Sequence, residues 1–249
     1  MKRERIRFDL LIHDLKGPLA VIEAGIRSLL MREDKYGNLT ESQKRVLKRV
    51  LRNTKITHTL VNDALEIERS NVGIINKNSL KVSYLINECL VELFDIIECE
   101  SSDEIRNCTD LDTLKQLLKR SHIYLDIEKG LWTKEIRTDQ GKLRQILRNL
   151  LSNALKYRKE KVHIKLEGKD RYLQISVIDD GEGIPVKYHK DIFKCYFQMD
   201  QNKDHCVRGH GLGLAGVMVL VEDMGGELSL ESDIGKGAKF TVKIPAEGL

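Results

Sequence analysis

Apolar residues in the first part of the chain recur at steps of three and four. Phe8, Leu11, Ile12, Leu15, Leu19, Ile22, Ile26, Leu29 and Leu30 make one stripe, the pattern of a long helix that buries one face. The stripe stops near Met31, and Asp34 to Asn38 is turn chemistry. Thr40 with Gln43 three residues on reads as a capping box that opens a second helix. Its inner face is Leu47, Val50, Leu51, Leu60, Val61, Ala64 and Ile67. Two such helices and a short loop predict an antiparallel hairpin. A lone hairpin cannot bury both stripes, so pairing with a second copy into a four-helix bundle is expected.

Near Asn71 to Ser79 the pattern becomes mixed. Helical spacing covers 83–97, a polar stretch follows over 98–110, and a short helix is predicted over 111–119. Strands are predicted over 123–128, 132–137, 162–167, 172–179, 227–231 and 239–244, with helices over 139–157 and 211–224 and a polar loop over 185–208. The fold class is therefore α+β. A helical hairpin over 1–75 precedes an α/β sandwich over 76–249, with helices on one face of the sheet and a hinge at 71–79.

Composition narrows the function classes. Of 249 residues, 41% are hydrophobic and 32% charged, which excludes a disordered chain. Lys and Arg number 42 against 38 Asp and Glu, a net charge of +4 that argues against a nucleic-acid partner. The apolar run from Leu212 to Val221 is too short to span a bilayer, and the apolar stretch at the start stops at His13, so neither a membrane span nor a signal peptide is expected. The cysteines (Cys89, Cys99, Cys108, Cys195, Cys206) form no CxxC pair and are odd in number, which fits a reduced, cytoplasmic protein.

Four groups of polar residues break the packing pattern. His13 lies roughly 140° from the centre of the first stripe, with Asp14 beside it and Pro18 inside the same helix. The proline leaves the Asp14 carbonyl without its helical partner. The competing reading is a surface histidine near a tolerated proline. In the helix over 139–157, Gln145, Asn149, Asn153 and Lys156 line a second stripe roughly 130° from the apolar one. Asparagine is a weak helix former, so its carboxamides suit a use such as Mg²⁺ ligation, although a solvated face would look the same. Asp179 ends a strand before Gly181 and Gly183, where a carboxylate can accept from an exocyclic amine and the glycines admit a flat ring. Gly209, Gly211 and Gly213 precede an apolar helix, an arrangement that makes an anion site from free N–H groups. Gly211, Gly213 and Gly216 also spell a dinucleotide fingerprint, but a polar loop rather than a strand precedes them. His189, Cys195, His205, Cys206 and His210 crowd the same loop with spacings that match no standard metal site.

In this order the motifs resemble the catalytic core of a sensor histidine kinase. HDLKGPL resembles the H-box, 139–157 the N-box, DDGEGIP the first glycine box, IFKCYFQMD the F-box and GHGLGLAG the second glycine box. The resemblance implies a dimerisation and phosphotransfer hairpin followed by an ATP-binding domain of the gyrase and MutL type. It implies ATP-dependent autophosphorylation of His13 and transfer to an aspartate of a response regulator, in a homodimer. Asp14 would orient the imidazole or accept its proton. Asn153 would hold Mg²⁺ with Asn149 nearby, Lys156 would contact phosphate and Tyr157 would line the pocket. Asp179 would bind the adenine amine, Gly181 and Gly183 would shape its pocket, and Gly209, Gly211 and Gly213 would bound the lid, packed by Phe193 and Phe197.

The chain departs from the family pattern at several places. Gly17 stands where many relatives carry Thr or Asn linked to phosphatase activity, His210 stands where Thr is common, and 98–122 is longer than the usual link. Only twelve residues precede His13, so no sensor domain is expected in this sequence, and the input comes either from a separate sensor protein or from a part of a longer chain of which this is a piece. Two other classes remain at this point. One is an ATP-driven clamp without kinase activity, which needs no exposed His-Asp pair. The other is a docking phosphotransfer protein, which needs no ATP site.

Overall fold

The computed structural model describes residues 2–70, 75–96, 102–195, 197 and 211–249. The chain divides into two compact units, Met1–Arg69 and Ser70–Leu249. No helix among the described residues is long and apolar enough to cross a membrane.

The first unit is helical. Helix α1 (Lys2–Met31) continues through Pro18. Asp34 to Asn38, expected as a turn, instead begins within a one-turn helix, α2 (Glu33–Tyr36), closed by Gly37 at φ +80. Helix α3 (Glu41–Ser70) follows. Its start is the expected capping box: the Gln43 N–H donates to Thr40 Oγ1 at 3.2 Å, and the Thr40 N–H donates to Gln43 Oε1 at 2.9 Å. Of the predicted apolar stripes, Ile26 is buried, whereas Leu15 (45%), Ile22 (46%) and Val50 on α3 remain exposed; Val46, outside the predicted stripe, is exposed as well. The side chains of 1–13 and of most of 59–70 lie outside the described residues.

The second unit is a five-stranded sheet with helices on one face. Its strands are β2 (Ile123–Ile127), β4 (Val162–Lys169), β5 (Tyr172–Asp179), β6 (Glu227–Ser232) and β7 (Ala238–Pro245), in the order β2-β4-β5-β7-β6. Only the β2–β4 pair is parallel. Val162, Ile164 and Leu166 alternate on β4, Leu173, Ile175 and Val177 on β5, and Phe240, Val242 and Ile244 on β7; all are buried. This face packs on α8 (Gln140–Tyr157), whose Leu143, Ile146, Leu147 and Leu150 are inaccessible, and on Val217, Leu220 and Val221 of α9 (Gly213–Asp223). Helix α4 (Val82–Ile96) adds Leu85, Ile86, Leu90 and Phe94 to the same core. Cys89 also lies there, and burial pushes its thiol up to about 12.

The structure corrects the sequence reading in three places. The segment expected as hinge, 71–79, contains the start of β1 (Lys77–Lys81), which pairs antiparallel with β3 (Glu135–Asp139) as a separate two-stranded sheet. Residues 71–74 lie outside the described residues. The strand expected to start at Trp132 starts later, because Lys129–Trp132 is a helical turn, α7, that buries Leu131 and Trp132. The long link over 98–122 also has an account. Helix α5 (Ser102–Arg106) and α6 (Leu111–Arg120) carry Ile105, Leu111, Leu114, Leu117 and Leu118 into the core. Helix α6 is capped by Asp110, which accepts from the Thr113 N–H at 2.8 Å.

Two substitutions should separate core from cap. Leu147→Ala should lower the stability of the second unit by about 2–5 kcal/mol in urea denaturation, through a cavity between α8 and the sheet. Thr40→Ala should cost only about 1 kcal/mol, confined to the helical unit.

Candidate functional site

Strand β5 places the central carboxylate. Leu173, Ile175 and Val177 point to the helix-covered face, and the period of two brings Asp179 onto that same face at the strand end. Asp179 is therefore buried among apolar groups. Burial pushes its carboxyl above the usual range and the Asp180 charge adds to this, while backbone N–H donors at Gly181 and Ala238 pull the other way. The Gly181 N–H donates to Asp179 Oδ1 at 2.9 Å.

The following loop is laced to its surroundings. A Cβ on Gly181 would collide with the Tyr157 carbonyl, so the loop lies directly on the end of α8. Gly183 has φ +75, and a Cβ there would strike the Asp233 carbonyl in the β6–β7 turn. Ser232 Oγ accepts from the Ile184 N–H at 2.8 Å and donates to the Gly237 carbonyl at 2.6 Å. Asp180, which the sequence reading passed over, accepts from the N–H groups of Lys159, Glu160 and Lys161, each at 3.0 Å. Partial burial opposes ionisation of Asp180, and these donors outweigh it, holding its carboxyl below the usual range. Its only sequence signal is its place between Asp179 and Gly181. The structure thus brings Tyr157, Asp179, Gly181 and Gly183 together at the end of the sheet.

The polar stripe of α8 faces the start of α9. Asn149 is buried, and its Nδ2 donates to the Gly213 carbonyl at 3.2 Å. Asn153 is half-buried one turn on. Lys156 Nζ donates to the Tyr157 hydroxyl at 3.0 Å and lies over its ring, 4.6 Å from the centroid. Gly211 has φ +68, and Leu212 at the start of α9 supplies no side-chain cap. The first turn of α9 therefore presents backbone N–H groups and the positive end of the helix dipole. Phe193 packs edge-on to Phe240, and Phe197 lies 5.8 Å from Tyr188. Gly209, His205, Cys206 and His210 lie outside the described residues, and His189 Nε2 is bonded to the Ile184 carbonyl at 2.9 Å. His13 and Asp14 belong to the other unit, on α1; Asp14 is exposed, and the His13 side chain lies outside the described residues.

This geometry suits a flat base with an amine on Asp179, phosphates at the start of α9, and a hard cation on the α8 amides. The buried Asp179 carboxylate can take the amine of a base, the uncapped start of α9 offers N–H groups to phosphate, and an amide oxygen suits Mg²⁺, so the residues fit a nucleotide and its cation.

Comparison with known proteins gives the same layout. Residues 10–73 match the His Kinase A (phospho-acceptor) domain, and residues 138–248 match the histidine kinase-, DNA gyrase B-, and HSP90-like ATPases. The circadian input-output histidine kinase CikA of Synechococcus elongatus is 31% identical over 95% of this chain, which covers 29% of that protein. The sensor histidine kinase WalK of Bacillus subtilis is 28% identical over 94% of this chain, which covers 35% of that protein. The chain thus spans roughly a third of the length of these curated relatives. Full-length ShkA, solved in complex with AMPPNP, superposes with a TM-score of 0.66 at 24% identity, over 98% of this chain and 46% of that one. The Acinetobacter baumannii histidine kinase AdeS gives 0.55 at 20% identity, over 94% and 97%. These two likenesses show the fold.

The buried carboxylate predicts a pH signature. Its folded pKa is raised, so between the ordinary value of 3.8 and that raised value the native state binds more protons than the unfolded one. Its contribution to stability therefore falls as pH rises through that window. Asp179→Asn, which keeps an acceptor for Gly181, should stabilise the unit at pH 7, and the gain should vanish below pH ~3.8 in paired urea titrations.

Proposed function

We propose that this chain, which belongs to the sensor histidine kinases, uses ATP to phosphorylate its own His13 and passes the phosphoryl group to an aspartate of a response regulator. The observation that carries the reading is the joining, in one chain, of a phospho-acceptor region bearing His13 to an ATPase-like unit whose buried Asp179 and uncapped start of α9 suit a nucleotide.

Asp179 accepts from the exocyclic amine of adenine, and Gly181 and Gly183 shape its pocket by letting the loop close on the end of α8 and on the β6–β7 turn. Tyr157 lines the pocket, and Lys156 swings from Tyr157 to the phosphates. The backbone N–H groups after Gly211 and Gly213 hold phosphate oxygens, with Gly209 at the far end of the lid. Asn153, with Asn149 beside it, would hold Mg²⁺, which supplies neutralisation of phosphate charge when bound. A nitrogen of neutral His13 attacks the γ-phosphorus, the N–P bond forms, the bond to ADP breaks, and the imidazole proton passes to Asp14 or to water. His13 and the nucleotide residues belong to different compact units, so transfer requires the two to be brought together.

A homodimer follows from the exposed Leu15, Ile22, Val46 and Val50, which a second copy would cover. The ShkA complex with AMPPNP supports ATP as the nucleotide.

Incubation with γ-labelled ATP and Mg²⁺ tests the reading. Acid-labile, base-stable label should appear on the chain and vanish in His13→Ala. Asn153→Ala should abolish labelling, and Asp179→Ala should abolish nucleotide binding. Binding without label would overturn the kinase in favour of a clamp, and absence of binding would favour a docking protein.

A further inference from the structure

Helices α8 and α9 are pinned to each other at two places. At one, Asn149 Nδ2 donates to the Gly213 carbonyl. At the other, Lys142 Nζ meets Asp223 Oδ2 at 2.9 Å, with side chains only 9% and 15% exposed. Lys142 lies in the first turn of α8 and Asp223 ends α9, so the pair sets how far α9 can slide or tilt along α8. A buried pair is costly to break on one side only, because the remaining charge is left without its partner.

The pair is also connected to the start of the unit. Asp139 caps α8, with Oδ1 accepting from the Lys142 N–H at 3.0 Å. Its second oxygen, Oδ2, accepts from the Asn76 N–H at 2.9 Å, across 63 positions of sequence. Asn76 immediately precedes β1, at the place where the chain enters the unit after residues 71–74. One carboxylate thus holds the incoming backbone with one oxygen and the helix that carries Asn149, Asn153 and Lys156 with the other.

We propose that Asp139, Lys142 and Asp223 are positioning residues that form a polar latch, setting the start of α9 against the asparagines of α8 and tying that setting to the backbone entering the unit at Asn76. The latch touches neither nucleotide nor His13. It acts on phosphate binding, since the start of α9 faces the phosphates, and not on the base, which Asp179 holds. It rests on the assignment of phosphates to the start of α9.

Two variants of the full chain test it. Lys142→Met/Asp223→Leu removes both charges at similar volume, so no buried charge is stranded. Its ATP affinity, measured by calorimetry, should fall about tenfold while its affinity for adenosine stays within about twofold. Asp139→Asn keeps an acceptor for the Lys142 N–H but turns an NH₂ toward Asn76, so the cap survives and the link to the incoming backbone does not. Hydrogen exchange at the amides of Gly216 to Met218, the first bonded ones of α9, should then quicken about tenfold with the melting temperature little changed. Unchanged ATP affinity in the double variant overturns the latch. So does a parallel loss of ATP and adenosine binding, and so does unchanged exchange in Asp139→Asn. If the unaltered chain binds no ATP, the nucleotide reading fails instead, and the exchange measurement still decides whether Asn76 is coupled to α9.

Discussion

Leu143, Ile146, Leu147 and Leu150 lose all contact with water against the sheet, and a helix of 3.6 residues per turn cannot bury that stripe without fixing the direction of every other side chain it carries. Each buried leucine or isoleucine contributes about 1.5–3 kcal/mol, so the rotation of α8 about its axis is strongly determined. Asn149 is thereby turned toward α9 by packing alone, with Asn153 and Lys156 on the same polar stripe. Asn149 then binds the Gly213 carbonyl, and the uncapped start of α9 comes to rest beside the amides.

The sheet imposes the complementary constraint. Strand β5 must present alternate residues to the helices, and its last such residue is a carboxylate rather than a hydrophobe. An ionised Asp179 is disfavoured there, and the fold keeps it because the Gly181 N–H and the β7 backbone partly satisfy it. The close approach of the Gly181 loop to the Tyr157 carbonyl is open only to a residue without a side chain. The glycines of this loop thus serve contact between backbones, and the lacing by Asp180 and Ser232 makes that contact rigid.

Local pattern revealed much of this. The α8 period, the alternation on β4, β5 and β7, and the Thr40–Gln43 box all appear as expected, since each arises from interactions within a few residues or from one buried face. The predictions failed where tertiary packing overrides local preference. Lys77–Lys81 is polar and reads as linker, yet it becomes a strand because β3 offers a pairing edge 54 or more positions away. Trp132 is β-prone and still ends a helical turn, because Leu131 and Trp132 must both reach the core. The 98–122 segment looked like an unexplained insertion because its six core residues are spread over two short helices and the turn between them.

Composition, period and motif order were enough to establish two units, a histidine on a helix, an asparagine-bearing helix and a glycine-framed aspartate, because those features are written in spacing. Sequence could not establish which polar groups meet. Asp139 reaching back to Asn76, Lys142 crossing to Asp223, and Asp180 collecting three amides are contacts between residues 19 to 81 positions apart. Such pairs come together only when the apolar faces of the helices and the sheet have closed on one another, and burial then obliges each polar group to find its partners within the fold.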